Sequence, residues 1–497
     1  MASFIVQDVI FFVIVAVLAK WFIGLLRSFW QGEEHLSPLP PGPPGLPVLG
    51  NLALLRTDMR GVFSRLAAKY GGVFSFRVGP IPVVVVCDVE AVNEAFLVQG
   101  EAFADRALPP LLRYAIGSKG TFTFDNGPEW RARRRFGLSA MRNLGMGKSS
   151  MERRITDEAR ILCESFENNK SVTFDPKELV TKAVTNVICS MSFGSRFEYD
   201  DPLFENFVTK VHQAVSTISF FSPGNAIPFL FHSPLYSDFR YVVEFITDTV
   251  KRIMGEHRQT LDEHDVRDLI DLFILEIRRQ QKCGEEIVFE DDLAWRAIFD
   301  LFAAGSTTTS AALLWALLFL TKFPDTMKQV QDEIDRVVGD HRSPSMSDQD
   351  AMPVTMATIM EIQRFRNVAP LGVPRRTNKE ATIKGYRIPK GTAVIMNLWE
   401  LMMSPKYWDK PEDFRPSRFL SEDGKTVRKP DAFIPFGIGN RICMGQLLAK
   451  MELFLFLTNI LQRFTVRPAD DSRDVSLDGQ AGIGLVPDDF NIKIQLR

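Results

Sequence analysis

The stretch "FIPFGIGNRICMG", residues 433 to 445, sets three glycines and an arginine around a single cysteine, Cys443. The run that continues from it, "MGQLLAKMELFLFLTNIL", is rich in strong helix formers and has no glycine or proline after Gly445. A helix is expected there. The sulfur then sits just before a helix N-terminus, where free N–H groups and the helix dipole favour a thiolate. Gly437, Gly439 and Gly445 carry no Cβ, so backbone at these positions can lie close against something flat and large. Phe436 can pack on the same object, and Arg441 offers a fixed cation to an acidic group. The competing reading is an inert cysteine in a glycine-rich turn.

The rest of the chain narrows the class. Over 497 residues there are 59 basic and 61 acidic side chains, a net charge of -2, which gives no reason to expect a nucleic-acid partner. The five cysteines (Cys87, Cys163, Cys189, Cys283 and Cys443) are scattered and form no CxxC pair. That usage suits a reduced, cytosol-facing protein without a structural zinc site.

Residues 1–30 are mostly apolar, with Trp21 and Trp30 suited to a membrane interface and Lys20 able to snorkel. An uncleaved N-terminal transmembrane anchor is expected, with an amphipathic surface helix as the alternative. Residues 31–51 follow as a polar segment and a stiff hinge, "LPPGPPGLPVLG". Residues 52–497 then read as one catalytic body, mainly α with a minor β-sheet. Its strands are expected in "VFSFRVG" and "IPVVVVCD".

Two apolar stretches stand out. "ISFFSPGNAIPFLFHSPLY", 218 to 236, mixes aromatics with proline and glycine and reads as a loop that dips into a membrane, guards a pocket or is simply buried. "LFAAGSTTTSAALLWALLFL", 301 to 320, is uncharged throughout. It is long enough to cross a bilayer, but its small and hydroxylated centre fits a core helix facing a polar cavity.

Phe436, Gly439, Arg441, Cys443 and Gly445 reproduce FxxGxRxCxG, and in this the chain resembles the haem-thiolate monooxygenases, the cytochromes P450, most of all the microsomal family-2 enzymes of animals. The resemblance implies haem b with Cys443 as its axial thiolate, a sulfur that pushes electron density onto iron. It extends over nearly the whole chain. "EIQR" supplies Glu361 and Arg364, and "FRPSRF" supplies Arg418, which resemble the family's buried ion-pair network behind the haem. Trp130 and Arg134 of "WRARRRF" match the WxxxR helix that contacts a propionate, and Arg106, Arg375 and Arg441 resemble the other propionate partners. Family-2 chains often carry histidine where Arg375 stands. Of the arginines around Arg134, one stripe is expected to be exposed and, with Lys429 and Lys450, to form a basic patch for an acidic electron donor.

On the oxygen side, Ala304 and Gly305 resemble the small residues of the family's oxygen-activation helix, and "AGSTTT" aligns Thr308 with its catalytic threonine. For each of Thr307, Thr308 and Thr309 the alternative is a hydroxyl bonded to its own helix four residues back. Relatives usually carry Asp or Glu where this chain has Thr307. Asp300 lies roughly 10 Å back along the helix, too far to replace that acid without water.

The resemblance therefore implies insertion of one atom of O2 into a lipophilic substrate: a fatty acid, steroid, retinoid or xenobiotic. Electrons would come from NADPH-cytochrome P450 reductase, with cytochrome b5 as a second donor, at the endoplasmic reticulum membrane. The expected chamber includes Phe299, Phe302, Ala303, Ala369, Leu371 and Ile483. Two alternatives remain: a peroxide-using isomerase or dehydratase of the same fold, and a non-catalytic membrane-tethered haem or lipid-binding protein.

Overall fold

The computed structural model describes residues 39–47, 49–56, 58–79, 81–116, 125–217, 223–226, 228–284, 288–469, 475–481 and 484–497. The expected anchor over residues 1–30, the first part of the 31–51 hinge and the chamber candidate Ile483 lie outside these. The chain folds into two compact units, between which it passes repeatedly. Residues 1–107, 371–401 and 438–441 make the first unit, and residues 108–370, 402–437 and 442–497 the second.

In the first unit, β-branched runs pair into a five-stranded sheet. Its order is Val73–Val78, Ile81–Val86, Ala393–Met396, Arg375–Arg376, Asp105–Arg106. The first two strands are those expected from the sequence, and they form an antiparallel hairpin. Val83 to Val86 are all buried, as befits a strand covered on both faces. Asp58 caps the helix Met59–Tyr70 by accepting from the Arg60 amide, and Phe63 of that helix packs edge-on against Phe74. Leu371 packs against this same cluster. It is half-buried there.

The second unit is built around the helix Asp291–Lys322, 32 residues long. Length and composition would let it cross a membrane, yet 67% of its most apolar window is buried inside the protein. A helix apolar on all sides needs partners on all sides. Here they include the helices Lys177–Ser192, Ser237–Thr260 and Gln446–Arg463. Gly305 lies against the first of these helices, since a Cβ there would lie 2.7 Å from Ile188 Cδ1. Its small size serves helix packing on this side. The helix is also unbroken through "AGSTTT".

Of the 218–236 stretch, residues 223–226 and 228–236 are described, and they form short helical turns. Tyr236 is buried, its hydroxyl accepting from the Gly224 amide at 2.8 Å, while Phe229 is 73% exposed. The stretch is thus a loop with one face packed and one face open.

Candidate active site

In the second unit, the backbone folds the cysteine segment into a tight turn. The Cys443 amide donates to Phe436 O at 3.0 Å, and Gly437 takes φ +69°, a left-handed conformation that favours glycine. The helix Gln446–Arg463 starts directly after, with Gly445 as its cap, so Cys443 stands where the sequence places it. Arg134, from the helix Pro128–Asn143, donates to Ile442 O at 2.7 Å and lies 5.7 Å from the Trp130 ring. The WxxxR helix is thereby tied to the residue next to the sulfur.

Cys443 is exposed in surface area, yet enough protein surrounds its sulfur that desolvation raises the thiol pKa. The amides of Gly445 and Gln446 and the Arg134 charge pull it down, and desolvation prevails. The helix-end amides favour the thiolate, as expected from the sequence, but do not outweigh desolvation. Coordination to a metal ion is what deprotonates such a thiol.

Behind the loop lies the expected ion-pair network. Glu361 and Arg364 are both fully buried, joined by Nε–Oε2 at 2.7 Å and Nη2–Oε1 at 2.9 Å. Arg418 Nε adds a third bond at 3.0 Å to Glu361 Oε1, and the Arg415 amide a fourth at 2.8 Å. The remaining Arg364 donors go to the carbonyls of Met402 and Pro411.

In the first unit, three guanidiniums predicted to bind propionates come together. Arg106 and Arg375 face each other across a two-residue antiparallel pairing. Arg106 donates to Val373 O at 3.0 Å, Arg375 to Ile438 O at 2.8 Å and Arg441 to Ala104 O at 2.7 Å. All three are buried, at 9%, 4% and 5% exposure respectively. Gly439 makes this packing possible, since a Cβ there would fall 1.9 Å from Phe96 O. Arg375 also sits 4.3 Å from the Phe96 ring.

On the central helix, Ala304 and Thr308 are exposed one turn apart, with Ala303 and Thr307 half-buried beside them, on a helix that is otherwise mostly buried. This open stripe matches the predicted oxygen-side residues. Thr307 and Thr308 both bond their own i-4 carbonyls, Ala303 and Ala304, at 2.7 Å. Phe302 is not on the stripe: it packs against Phe193 and Phe207 with ring centroids 5.5 and 5.1 Å away. It is 1% exposed. Phe299 is also buried, whereas Ala369 is half-buried.

Of the basic cluster, Arg133 is buried and paired with Glu129 at 2.6 Å, leaving Arg131 and Arg135 exposed with Lys429 and Lys450. Burial and the neighbouring Lys429 charge both lower the Lys450 pKa, so the two lysines are close enough to interact. Sequence reasoning misses Glu452, a buried carboxyl on the cysteine helix whose pKa desolvation pushes up to about 8. Its signal was a lone acid in a run apolar on every face.

A flat, dianionic macrocycle with a metal asks for a sulfur, forked cations for its carboxylates and a face free of large side chains. In the second unit Cys443, Arg134 and the Ala304 stripe supply a sulfur, a forked cation and a face of small residues, and in the first unit three buried arginines come together; the residues of each unit suit haem b. The class defined by this fold and these residues is the haem-thiolate proteins. Residues 40–494 match the family model for cytochrome P450, and the chain belongs to that family. It is 36% identical over 510 residues to cytochrome P450 2U1 of Homo sapiens, covering 97% of this chain and 94% of the relative. Against cytochrome P450 2D6 of Homo sapiens the identity is 41% over 461 residues, covering 90% and 92%. Cytochrome P450 2C14 of Oryctolagus cuniculus is 39% identical over 464 residues, covering 91% and 92%. The chain is accordingly a haem-thiolate monooxygenase, using haem b with an axial cysteine thiolate.

Proposed function

We propose that Cys443 is the iron ligand, that Trp130, Arg134, Arg106, Arg375 and Arg441 hold the propionates, and that Thr308 is the oxygen-side hydroxyl. Haem b, when bound, supplies the activation of dioxygen, with one atom passing to substrate and the other to water. The polypeptide binds, orients and delivers protons. The observation that carries this reading is the turn at Cys443, with Arg134 anchored on the adjacent Ile442 carbonyl. Thr308 holds its proton on Oγ1, resting against Ala304 O on the exposed stripe. Turning that hydroxyl away from the carbonyl makes its proton available to the open side.

The substrate is lipophilic, a fatty acid, steroid, retinoid or xenobiotic, since Ala303 and Ala304 on the open stripe offer little but apolar surface. NADPH-cytochrome P450 reductase is the electron donor, with cytochrome b5 as a second one, docking on the basic residues Arg131, Arg135, Lys429 and Lys450. The protein is placed at the endoplasmic reticulum membrane by a single N-terminal anchor, with the catalytic body facing the cytosol. The exposed Phe229 and Leu235 support contact with the bilayer.

The test is the reduced, carbon-monoxide-bound absorption spectrum together with reductase-dependent turnover. Cys443→Ala should abolish both, and a histidine-type spectrum in the native protein refutes the ligand assignment. Thr307, standing where an acid is usual, favours one second reading, in which peroxide substrates are rearranged without a reductase. Product from a lipid hydroperoxide in the absence of NADPH selects that reading.

A further inference from the structure

Arg375 stands where family-2 chains often carry histidine, and the exchange sets a positioning problem. A histidine ring is short and stiff, whereas a guanidinium rides on a long flexible stem whose ordering costs rotamer entropy. Strand pairing of Arg375 with Arg106 and Val394 fixes its backbone, and its Nη2 donates to Ile438 O at 2.8 Å. A hydrogen bond at one edge does not by itself set the tilt of the guanidinium plane.

Phe96 sets that tilt. Arg375 Cζ lies over the Phe96 ring, 4.3 Å from its centroid, well inside the roughly 6 Å at which the negative face of a ring attracts a cation. Arg375 and Phe96 are buried, at 4% and 0% exposure, where water does little to weaken the attraction. Stacking engages the face of the guanidinium while hydrogen bonds leave from its edge, so the ring orients the donors without competing for them.

The ring is itself firmly held. Phe96 belongs to the π-helical turn Glu94–Val98, and Phe103 meets its ring edge-on with centroids 5.8 Å apart. The Phe96 carbonyl is seated between two glycines, since a Cβ would come within 1.9 Å of it at Gly439 and within 2.9 Å at Gly100. Gly439 opens the turn Gly439–Arg441, and the residue just before that turn supplies the Ile438 carbonyl that Arg375 bonds. One short backbone segment therefore fixes both the ring and the edge of the guanidinium, and the two meet in register.

We propose that Phe96 is a positioning residue: its ring holds the Arg375 guanidinium flat and presents the edge donors to a haem propionate. The inference rests on the propionate role given to Arg375 above. An aliphatic side chain of similar bulk fills the same space without a π face, which separates positioning from packing.

The test follows haem release from the purified, haem-loaded full chain to excess apomyoglobin. Phe96→Leu keeps most of the apolar volume and removes the π face, and release should quicken about 3- to 10-fold. Trifluorophenylalanine at position 96 keeps the shape of the ring but drains its negative face, and should quicken release about 2- to 5-fold. Arg375→Met should release haem faster on its own, and in that background neither change at position 96 should add more than about 2-fold. The resonance Raman band of propionate bending, which reports hydrogen bonding to the carboxylates, should move in Phe96→Leu toward its position in Arg375→Met. Native release rates from both Phe96 proteins while Arg375→Met is faster overturn the proposal. An equal gain from Phe96→Leu in the two backgrounds does so too, and makes the ring a packing residue only. Arg375→Met releasing haem at the native rate would instead count against the propionate role of Arg375. Should Phe96→Leu fail to fold, the isosteric fluorinated ring decides alone.

Discussion

Replacing Glu361 by glutamine removes one charge and almost no volume, and should be among the most damaging single changes in the chain. The Glu361 carboxylate accepts four hydrogen bonds, from Arg364 Nε and Nη2, Arg418 Nε and the Arg415 amide, between 2.7 and 3.0 Å. An amide keeps one acceptor oxygen and turns an NH2 toward guanidinium donors. Arg364, fully buried, then has no carboxylate within its network. Breaking a buried pair in this way costs about 3 to 5 kcal/mol, because the surviving charge stays desolvated. Against a total of about 5 to 15 kcal/mol for a folded chain, the variant should be largely unfolded near body temperature or fail to retain haem. The assay is the fraction of purified protein giving a thiolate-type carbon-monoxide spectrum, alongside urea unfolding followed by tryptophan fluorescence. The double change Glu361→Met with Arg364→Met should cost less than Glu361→Gln, since it leaves no orphaned charge. If Glu361→Gln retains haem and unfolds within about 1 kcal/mol of the native chain, the pair is not the structural keystone described here.

Three further outcomes are expected. Gly439→Ala should eliminate haem loading, because its Cβ would meet the Phe96 carbonyl at 1.9 Å and no rotamer can relieve it, whereas Gly437→Ala has open space and should cost only the left-handed strain of about 1 to 2 kcal/mol; equal losses of thermal stability in the two would contradict this. Gly305→Ala should destabilise by up to about 2 kcal/mol, overpacking against Ile188 outweighing the gain in helix propensity, and adding Ile188→Val should recover most of it; additive effects in a thermal-shift cycle would show that the two do not touch. Thr307→Glu, restoring an acid beside Thr308, should raise the fraction of NADPH electrons recovered as product, and unchanged or poorer coupling would mean the absent carboxylate is not what limits proton supply.

How legible these features were depends on how far apart their determinants lie. The cysteine turn and the Glu361–Arg364 pair are local, with partners a few residues apart, so the motif that the family resemblance supplies is short and contiguous in each case. Convergence of Arg106, Arg375 and Arg441 depends on a two-residue strand pairing whose register no periodicity encodes, and only the family resemblance brought them together. Apolar and small residues look alike in sequence whether they face a chamber or a core, and their neighbours are set by the fold: Phe193 and Phe207 beside Phe302, the sheet cluster beside Leu371 and Ile188 beside Gly305.

The same reasoning changes the meaning of the threonine at 307. In sequence, the lost acid leaves a single hydroxyl at Thr308 without its usual companion, and the helix seems underdetermined. In the fold, Thr307 and Thr308 bond the carbonyls of Ala303 and Ala304 on their own helix. Packed on that helix is Gln446–Arg463, whose Glu452 is buried and has its pKa pushed up to about 8 by desolvation. A buried acid survives in an apolar run where it keeps its proton. The carboxyl that does lie on a helix packed against the central one is therefore held neutral near neutral pH, unlike the ionisable acid that relatives usually carry at position 307.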